Sequence, residues 1–267
     1  MTLTDNERII KLKRVINTLT EERYAAILKI VEKKRAVTVS ELTEALNSSE
    51  STIRRDLTAL GNSGKLNKVH GGATVIDVFY STKDDDVSIR QSRNTEQKNA
   101  IGKYAASLIK ENDFVYIDAG TSTEMLIHYI TEKNAVYVTN GTVHARKLAE
   151  KGCKIFILGG ELKPSTDAVV GNEAIACLQK YNFTKGFFGT NGISTKAGYT
   201  TPDANEALVK TEAMSRCSEK YILADKSKFN SISPITFASL KSAAIITTVL
   251  EDQQYKKNTT VLETANI

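Results

Sequence analysis

The chain has 267 residues, 41% hydrophobic and 25% charged, a balance typical of a soluble globular protein with two domains of unequal size. It contains no run of about 18 apolar residues and begins with a charged segment, so neither a membrane span nor a secretory signal is predicted. Its three cysteines lack CxxC spacing, and its three histidines lack the spacing of metal ligands. We therefore expect a cytoplasmic protein with reduced cysteines, without a cofactor, metal or membrane partner.

The positive charge of the chain is concentrated near its N-terminus. Residues 1–76 contain 13 Lys and Arg against 9 Asp and Glu, a net charge of +4. The whole chain carries +5, which leaves +1 (5 − 4) for the other 191 residues. This asymmetry favours a nucleic-acid-binding module joined to a nearly neutral domain, although a solvated helical surface would give a similar distribution.

The N-terminal segment has the apolar spacing of three helices. Thr20 is predicted to cap the first helix, and Ser40 a short second helix. After a turn, either Ser49 or Ser51 begins a third helix, whose end is marked by Gly61 and Gly64. The residues of this third helix expected to face the core are Ile53, Leu57 and Leu60.

Two short helices joined by a tight turn predict a helix-turn-helix, whose second helix places side chains against base edges in the major groove. Gly71-Gly72 lies between two β-prone runs and predicts a basic hairpin, or wing. The predicted DNA-binding residues are Ser49, Ser51, Thr52, Arg54, Arg55, Lys65, Lys68 and His70. Asp56 would repel phosphate and is expected to pair with a nearby arginine or to lie at a helix end. The alternative is a protein-interaction module whose arginines are merely solvated.

A motif spans these helices. It consists of Arg23-x3-Ile27-x3-Val31 and, after a gap of 17 residues, Ser49-x2-Thr52-Ile53-Arg54-Arg55-Asp56-Leu57. It resembles the DNA-binding signature of the DeoR family of bacterial sugar-operon repressors, which implies binding to double-stranded operator DNA. We therefore expect a winged helix-turn-helix domain over residues 20–76. Family members usually begin shortly before the first helix, so residues 1–19 are either an added amphipathic helix or the product of an upstream start codon.

Residues 77–95 are polar, with an acidic run at residues 84–86, and are predicted to link the domains. In the second predicted domain, residues 96–267, short apolar strands alternate with helical stretches. The predicted strands are 114–118, 135–140, 154–160, 183–190, 220–225 and 243–248, and the predicted helices are 122–132, 143–150, 172–180 and 204–216. This alternation indicates an α/β domain with a mainly parallel sheet covered by helices on both faces.

Polar turns follow these strands, at the edge where open α/β sheets bind ligands. Residues 118–124, DAGTSTE, put a glycine and three hydroxyls at the start of a helix, which suits a phosphate, although an ordinary capped turn has the same pattern. Similar turns occur at 139–142, 159–162, 189–194 and 225–228. Together they predict a polar cleft for a small molecule, with Ser122, Asn140 and Gly160 among its residues.

The resemblance to the DeoR family covers nearly all of residues 90–262 and implies a larger, ribose-5-phosphate isomerase-like α/β domain that senses a phosphorylated sugar. Arg93 and Lys98, placed before the first helix, match a family pattern, and Lys98 is expected to reach the phosphate. Asn191-Gly192 stands where many members have Asp-Gly. The ligand-binding residues implied by the family pattern are Lys98, Asp118, Gly120, Thr121, Thr123, Asn191, Gly192, Thr201, Glu206, Lys210 and Lys226; Thr200, Asp203 and Lys228 match further family positions.

The alternative function is a sugar-phosphate isomerase with a DNA-binding appendage, since Glu206 can act as a base with Lys210 or Lys226 as its electrostatic partner. Asn191 weighs against it, because the resembled isomerase has an acidic cluster there, and an isomerase has no evident need for a helix-turn-helix. The expected function is therefore non-enzymatic: a homo-oligomeric repressor, dimer or tetramer, released from a sugar-utilisation operon by a phosphorylated sugar.

Two segments, GTNGIS and GYTTPDANEA, most resemble those of fructose-operon repressors, which implies fructose 1-phosphate as effector. Lactose/tagatose and other phosphotransferase-linked operons are the neighbouring alternative.

Overall fold

The computed structural model describes residues 5–63, 65–75, 79–80, 87–250 and 252–264, without the side chains of residues 5–18, 79–80 and 88. The chain divides at residue 78 into an N-terminal unit and a C-terminal unit that contains nearly all the later residues. Gly64, residues 1–4 of the predicted extension and the acidic run at 84–86 lie outside the described residues. Within the ranges that are described, no helix has both the length and the apolar character needed to cross a membrane.

The N-terminal unit combines helices with a small antiparallel sheet. Its elements are α1 (Asp5–Lys34), β1 (Ala36–Thr38), α2 (Val39–Leu46), α3 (Glu50–Asn62), β2 (Asn67–Val69) and β3 (Gly72–Thr74). The strands pair in the order β1-β3-β2, and the turn between β2 and β3 holds Gly71 at φ +80°, a left-handed conformation that favours glycine. α2, α3 and the β2–β3 hairpin form the winged helix-turn-helix that the sequence predicts.

The first two helices begin at different residues from those predicted. Thr20 lies inside α1, which is continuous from Asp5, so the predicted cap is wrong: the amides after Thr20 already have partners in the preceding turn. α2 is capped by Thr38 rather than Ser40. The Thr38 hydroxyl accepts from the Glu41 amide at 3.2 Å, and the Glu41 carboxylate accepts from the Thr38 amide at 2.8 Å, a reciprocal capping box.

The start of α3 and the core of the unit follow the sequence. Ser49 is the cap, because its hydroxyl accepts from the Thr52 amide at 3.2 Å, which decides between Ser49 and Ser51. The inward-facing residues predicted for α3 are confirmed, and the core includes Ile27, Val31, Leu42, Ile53, Leu57 and Leu60. Burying this face leaves the polar face of α3 exposed.

The C-terminal unit alternates strands and helices along most of its length. It begins with β4 (Phe79–Tyr80), α4 (Val87–Ser92), α5 (Thr95–Ser107), β5 (Phe114–Ile117), α6 (Thr121–Tyr129), β6 (Val136–Thr139), α7 (Thr142–Glu150) and β7 (Lys154–Ile157). It continues with β8 (Glu161–Lys163), β9 (Ala168–Val170), α8 (Asn172–Leu178), β10 (Phe183–Gly189), β11 (Gly192–Ser194), β12 (Gly198–Thr201), α9 (Ala204–Ser215) and β13 (Cys217–Leu223). Its last elements are a 3-10 turn (Lys226–Lys228), β14 (Ser231–Ile232), β15 (Ile235–Ala238), a second 3-10 turn (Leu240–Ser242), β16 (Ala244–Thr247), α10 (Gln253–Asn258) and β17 (Val261–Glu263).

A seven-stranded sheet in the order β17-β16-β13-β10-β5-β6-β7 organises this unit, and all its neighbouring strands are parallel. The six predicted strands coincide with six of its members, and β17 is the addition. Alternate residues of β5 face opposite sides: Val115 packs in a core with Ile101 and Leu126, whereas Tyr116 packs in another with Val209. The predicted parallel sheet with helices on both faces is therefore confirmed.

Several short elements have no counterpart in the sequence prediction. They are the antiparallel pair β8–β9, the small sheet β11-β12-β15 and the pair β4–β14. Five of these seven strands have only two or three residues, and threonines interrupt the apolar residues of β12 and β15, so none has the continuous apolar run that marks the strands of the central sheet. Helices α4 and α5 begin within the segment predicted as a linker. Lys98 accordingly lies inside α5 and not before it.

Candidate functional site

A groove in the N-terminal unit lies between α3 and the β2–β3 hairpin. Its lining includes Arg54, Arg55, Lys68 and His70, all with exposed side chains, and contains no carboxylate. The groove therefore has a positive electrostatic field, as contact with a phosphate backbone requires. Four of the residues predicted to bind DNA are thus brought together on one surface.

The cationic side chains of the groove have only exchangeable partners. Arg54 donates to Glu50 at 3.2 Å, and more than half of each side chain is exposed, so this pair opens at little cost. Lys68 donates to the Thr58 hydroxyl at 2.8 Å. The remaining predicted DNA-binding residues lie at the start of α3 or on the hairpin approach. The Ser49 hydroxyl lies 2.9 Å from the hydroxyls of both Ser51 and Thr52. The Lys65 side chain is exposed and does not line the groove.

Asp56 points into the N-terminal unit and not into the groove. Its carboxylate is 3% exposed and accepts two hydrogen bonds from the Arg23 guanidinium of α1, with Nη2 at 3.1 Å from Oδ1. The hydrogen bond to Asp56 raises the pKa of Arg23. The expected pairing of Asp56 with an arginine is confirmed, and the pair attaches α3 to α1 so that Arg54 and Arg55 face outward.

A polar cleft lies in the C-terminal unit beyond the ends of β5 and β10. Its lining residues are Arg90, Ala119, Gly120, Thr121, Ser122, Thr166, Gly189, Thr190, Asn191, Glu206, Lys210 and Lys228, so three cations face one carboxylate. Gly120 precedes α6, and no side chain caps that helix. The first amides of α6 therefore lack a side-chain acceptor and, with two hydroxyls and a cationic lining, suit a phosphate group.

A buried ion pair supports the cleft from behind. Lys210 of α9 pairs with Asp118, and their side chains are 5% and 1% exposed. The Asp118 carboxylate also accepts from the Gly189 amide at 3.0 Å. Burial raises the pKa of Asp118, while Lys210 and the Gly189 amide act in the opposite direction. The pair joins the ends of β5 and β10 to α9.

Glu206 is held by two donors. Its Oε1 atom accepts from Lys163 Nζ at 3.0 Å and from the Thr166 hydroxyl at 2.7 Å. Lys163 also lies 3.2 Å from Asp203, whose carboxylate caps α9 by accepting from the Glu206 amide at 2.9 Å. The connection between β8 and β9 is thus tied to the start of α9, and Glu206 is engaged in structural contacts.

Three side chains brace the turn between β5 and α6. The Thr123 hydroxyl donates to the Asp118 carbonyl at 2.6 Å, and Asn140 Oδ1 accepts from the Ala119 amide at 2.8 Å. His144 Nε2 lies 3.1 Å from the Thr123 hydroxyl and 3.2 Å from the Gly120 carbonyl. Burial lowers the pKa of His144 to about 4, so its imidazole is neutral at physiological pH.

The predicted ligand-binding residues separate into three groups. Those that line the cleft are Gly120, Thr121, Ser122, Asn191, Glu206 and Lys210. Those that support it from behind are Asp118, Thr123, Asn140 and Thr201, the last through a 3.3 Å hydrogen bond to Asn191. Lys98, Gly160, Gly192 and Lys226 line no part of it.

The residues of this last group lie in three kinds of environment. Lys98 Nζ donates to the backbone carbonyl of Arg90, and burial lowers its pKa. Gly160 and Gly192 closely approach other backbone segments, where a Cβ atom would lie 2.6 Å and 2.4 Å from carbonyl oxygens. Lys226 is exposed, and Lys228, two residues later, lines the cleft in its place.

Four side chains of the cleft lining were not among the predicted ligand-binding residues: Arg90, Thr166, Thr190 and Lys228. Arg90 falls in the segment predicted as a linker, and Thr166 in a hairpin whose strands are too short to recognise. Thr190 belongs to the strand-end turn at 189–194, and Lys228 matches a family position, so these two had a detectable signal.

Comparison with known proteins matches both units to domain families. Residues 23–79 match the DeoR-like helix-turn-helix domain, and residues 93–249 match the DeoR C-terminal sensor domain. A Bacillus subtilis relative, "Uncharacterized HTH-type transcriptional regulator FruR", is 41% identical over 91% of this chain and 98% of its own length. A Staphylococcus aureus "Lactose phosphotransferase system repressor" is 34% identical over 87% of this chain and 93% of its own length.

Similar solved structures include ribose 5-phosphate isomerase A of Methanocaldococcus jannaschii, with a TM-score of 0.39 and 12% identity over 51% of this chain and 55% of that one. The full-length sorbitol operon regulator SorC of Klebsiella pneumoniae has a TM-score of 0.37 and 10% identity, over 78% of this chain and 90% of that one. Both likenesses are distant. The two domain matches and the full-length relatives show that the chain belongs to the DeoR family of transcriptional regulators.

Proposed function

We propose that this chain represses a sugar-utilisation operon and leaves its operator when a phosphorylated sugar enters the cleft of the sensor domain. The observation that carries the proposal is the pairing, in one chain, of a cationic helix-turn-helix groove with a polar cleft that has a cationic lining. Its relatives include a repressor of a lactose phosphotransferase system. Operator DNA and a sugar phosphate are therefore the two proposed partners, bound by a homo-oligomer in the cytoplasm.

The chemistry of the cleft supports a phosphorylated ligand. The uncapped first turn of α6 supplies amide donors and a positive helix end, and Thr121 and Ser122 supply hydroxyls. Lys228 adds a point charge, and Asn191 an amide that can bind a sugar hydroxyl without a charge of its own. A phosphate offers these donors and the cationic lining an anionic acceptor that a neutral sugar does not, so the phosphate is the expected determinant of affinity.

The proposed effector is fructose 1-phosphate, from the resemblance of residues 189–194 and 198–207 to fructose-operon repressors. Sugar phosphates of lactose and tagatose metabolism are the neighbouring class, in keeping with the name of the Staphylococcus aureus relative. The effector acts by binding one conformation of the repressor more tightly than the other, which lowers the population that fits the operator.

The test measures binding of a labelled operator duplex by fluorescence anisotropy at fixed salt, with and without each sugar phosphate. Release by fructose 1-phosphate is the expected result, and a thermal-shift screen against the same panel identifies binding independently. Arg54→Ala should abolish operator binding and leave effector affinity unchanged. If no sugar phosphate alters operator affinity, the proposed function is wrong.

A pair of lysine variants examines the effector site. Lys228→Ala should weaken release by about tenfold or more, since it removes a charged donor from the cleft. Lys226→Ala, at the position implied by the family pattern, should have the smaller effect because that side chain is exposed outside the cleft. The opposite order would return the assignment to Lys226.

The isomerase alternative has a separate readout. The Glu206 carboxylate accepts hydrogen bonds from Lys163 and Thr166, which supports a structural role for it over a role as general base. We expect no product when the pure protein is incubated with ribose 5-phosphate or fructose phosphates. Turnover that disappears in Glu206→Gln would contradict the non-enzymatic assignment.

A further inference from the structure

Helix α4 brings Arg90 into the cleft from outside both matched family domains. The helix-turn-helix match ends at residue 79 and the sensor match begins at residue 93, so α4 falls between them. Arg90 nevertheless lines the cleft together with Gly120, Ser122 and Lys228. Along the chain, α4 is the first described helix after the DNA-binding domain.

Two hydrogen bonds fasten α4 to the body of the sensor domain. Lys98 Nζ donates to the backbone carbonyl of Arg90, and Gln91 Nε2 donates to Glu124 Oε2 at 3.0 Å. Glu124 lies in the first turn of α6, the helix whose start forms the proposed phosphate site, and also pairs with Lys147 of α7. The position of α4 is thus coupled to that of α6.

A third contact connects α4 with the segment that carries Lys228. Asn94 follows α4 with φ +53°, and its Nδ2 donates to Asp225 Oδ1 at 2.8 Å. Asp225 is 1% exposed and caps the turn Lys226–Lys228, accepting from the Ser227 amide at 2.9 Å. Arg90 and Lys228 therefore reach the cleft from two segments that are held to each other.

We propose that Arg90 binds the phosphate of the effector and that this contact sets the position of α4. The inference rests on the proposed function and adds the residue and the helix through which the ligand acts. A guanidinium can bind a phosphate with two parallel hydrogen bonds, which fixes orientation as well as adding affinity. A phosphate held between Arg90 and the start of α6 bridges α4 and α6 directly. Without effector this bridge between α4 and α6 is absent. Helix α4 is therefore held by one contact more in the effector-bound protein than in the free protein.

The first test replaces Arg90. Arg90→Ala should bind fructose 1-phosphate about 10- to 100-fold more weakly by calorimetry, because a charged hydrogen-bonding partner is lost, and should still bind operator. Arg90→Lys keeps the charge without the paired geometry and should fall between Arg90→Ala and wild type. Arg146→Ala removes an exposed arginine of α7 that pairs with Glu150 and should match wild type. Equal affinities of wild type and Arg90→Ala would overturn the inference.

The second test separates binding from transmission. Gln91→Ala removes the hydrogen bond between α4 and Glu124, so fructose 1-phosphate should still bind within about threefold of wild-type affinity but release operator less completely.

Hydrogen exchange of residues 87–92 should slow on adding fructose 1-phosphate to wild type and not to Arg90→Ala. Unchanged exchange in wild type at saturating ligand, or full release by Gln91→Ala, would overturn the role of α4. If wild type neither binds a sugar phosphate nor releases operator, the proposed function itself fails, a result distinct from loss of the Arg90 effect alone.

Discussion

At the scale of the residue, His144 shows how a side chain behind the cleft braces a turn that lines it. Its imidazole is 5% exposed and borders the Gly120 carbonyl and the Thr123 hydroxyl. Burial lowers the pKa of His144 to about 4, because the cost of burying the charged imidazole outweighs the favourable effects of Glu124 and of the Gly120 carbonyl. In the unfolded chain its pKa returns to the ordinary value near 6.5, so the unfolded state binds more protons between these two values.

The resulting prediction concerns stability against pH. Because the folded pKa is lowered, the contribution of His144 is fully present above about pH 6.5 and is lost as the pH falls towards about 4. The expected loss is about 3 kcal/mol of the free energy of unfolding of the sensor domain. Urea unfolding at several pH values should show this difference between wild type and His144→Asn. His128→Asn, at an exposed position, should keep the wild-type profile. A pH profile of His144→Asn that parallels wild type would contradict the assignment.

At the scale of the element, the orientation of α3 depends on a contact to α1. The apolar face of α3 packs in the core through Ile53 and Leu57, but apolar contacts alone tolerate small rotations. The two hydrogen bonds between Arg23 and Asp56 have a defined direction and fix the helix about its own axis. This explains why a motif for DNA binding includes an aspartate that does not face DNA.

Asp56→Ala should therefore weaken operator binding and destabilise the N-terminal unit. It leaves the Arg23 guanidinium, 23% exposed, without its partner, and the expected cost is about 1–3 kcal/mol. Hydrogen exchange of the α3 amides measures this cost within the unit, and anisotropy measures the affinity. Glu50→Gln removes the exposed pair with Arg54 and should change stability by less than about 0.5 kcal/mol. Similar exchange in the two variants would mean that the Arg23–Asp56 pair does not hold α3.

At the scale of the whole molecule, the two domains differ in charge. The N-terminal 76 residues carry +4 of the total +5, and their cations include the lining of the helix-turn-helix groove. Displacement of counterions from DNA by such side chains makes operator affinity decrease with salt, with a slope set by the number of phosphates contacted. The nearly neutral sensor domain should add little to this slope.

The salt dependence of operator affinity distinguishes the two domains. Lys68→Ala should reduce the slope of log affinity against log salt by about 1, because one phosphate contact is lost. Lys154→Ala removes an equally exposed lysine from β7 of the sensor domain and should leave the slope unchanged. Equal slopes for wild type and Lys68→Ala would place the hairpin away from the DNA backbone.

Much of the architecture could be predicted from the sequence because it depends on local periodicity. The strands of the central sheet were readable because residues such as Val115 and Tyr116 are apolar on both faces, and a buried parallel strand needs both. The position of α3 was readable because Ile53, Leu57 and Leu60 recur at helical spacing. The turn at Gly120–Ser122 was readable because parallel strands end at one edge of the sheet.

The identity of the side chains at the cleft was decided only by tertiary structure. Three lysines are chemically alike: Lys98, Lys226 and Lys228. The sequence alone does not tell which ammonium group donates to a backbone carbonyl, which is exposed to solvent and which lines the cleft. Arg90 lies in a polar segment with the composition of a linker, and it reaches the cleft because α4 is tied to α6 through Gln91 and Glu124. Periodicity determines which face of an element is buried, whereas contacts between segments far apart in sequence determine which polar groups meet. The sequence by itself therefore determined the two domains and their folds, and the tertiary structure decided which residues form the effector cleft.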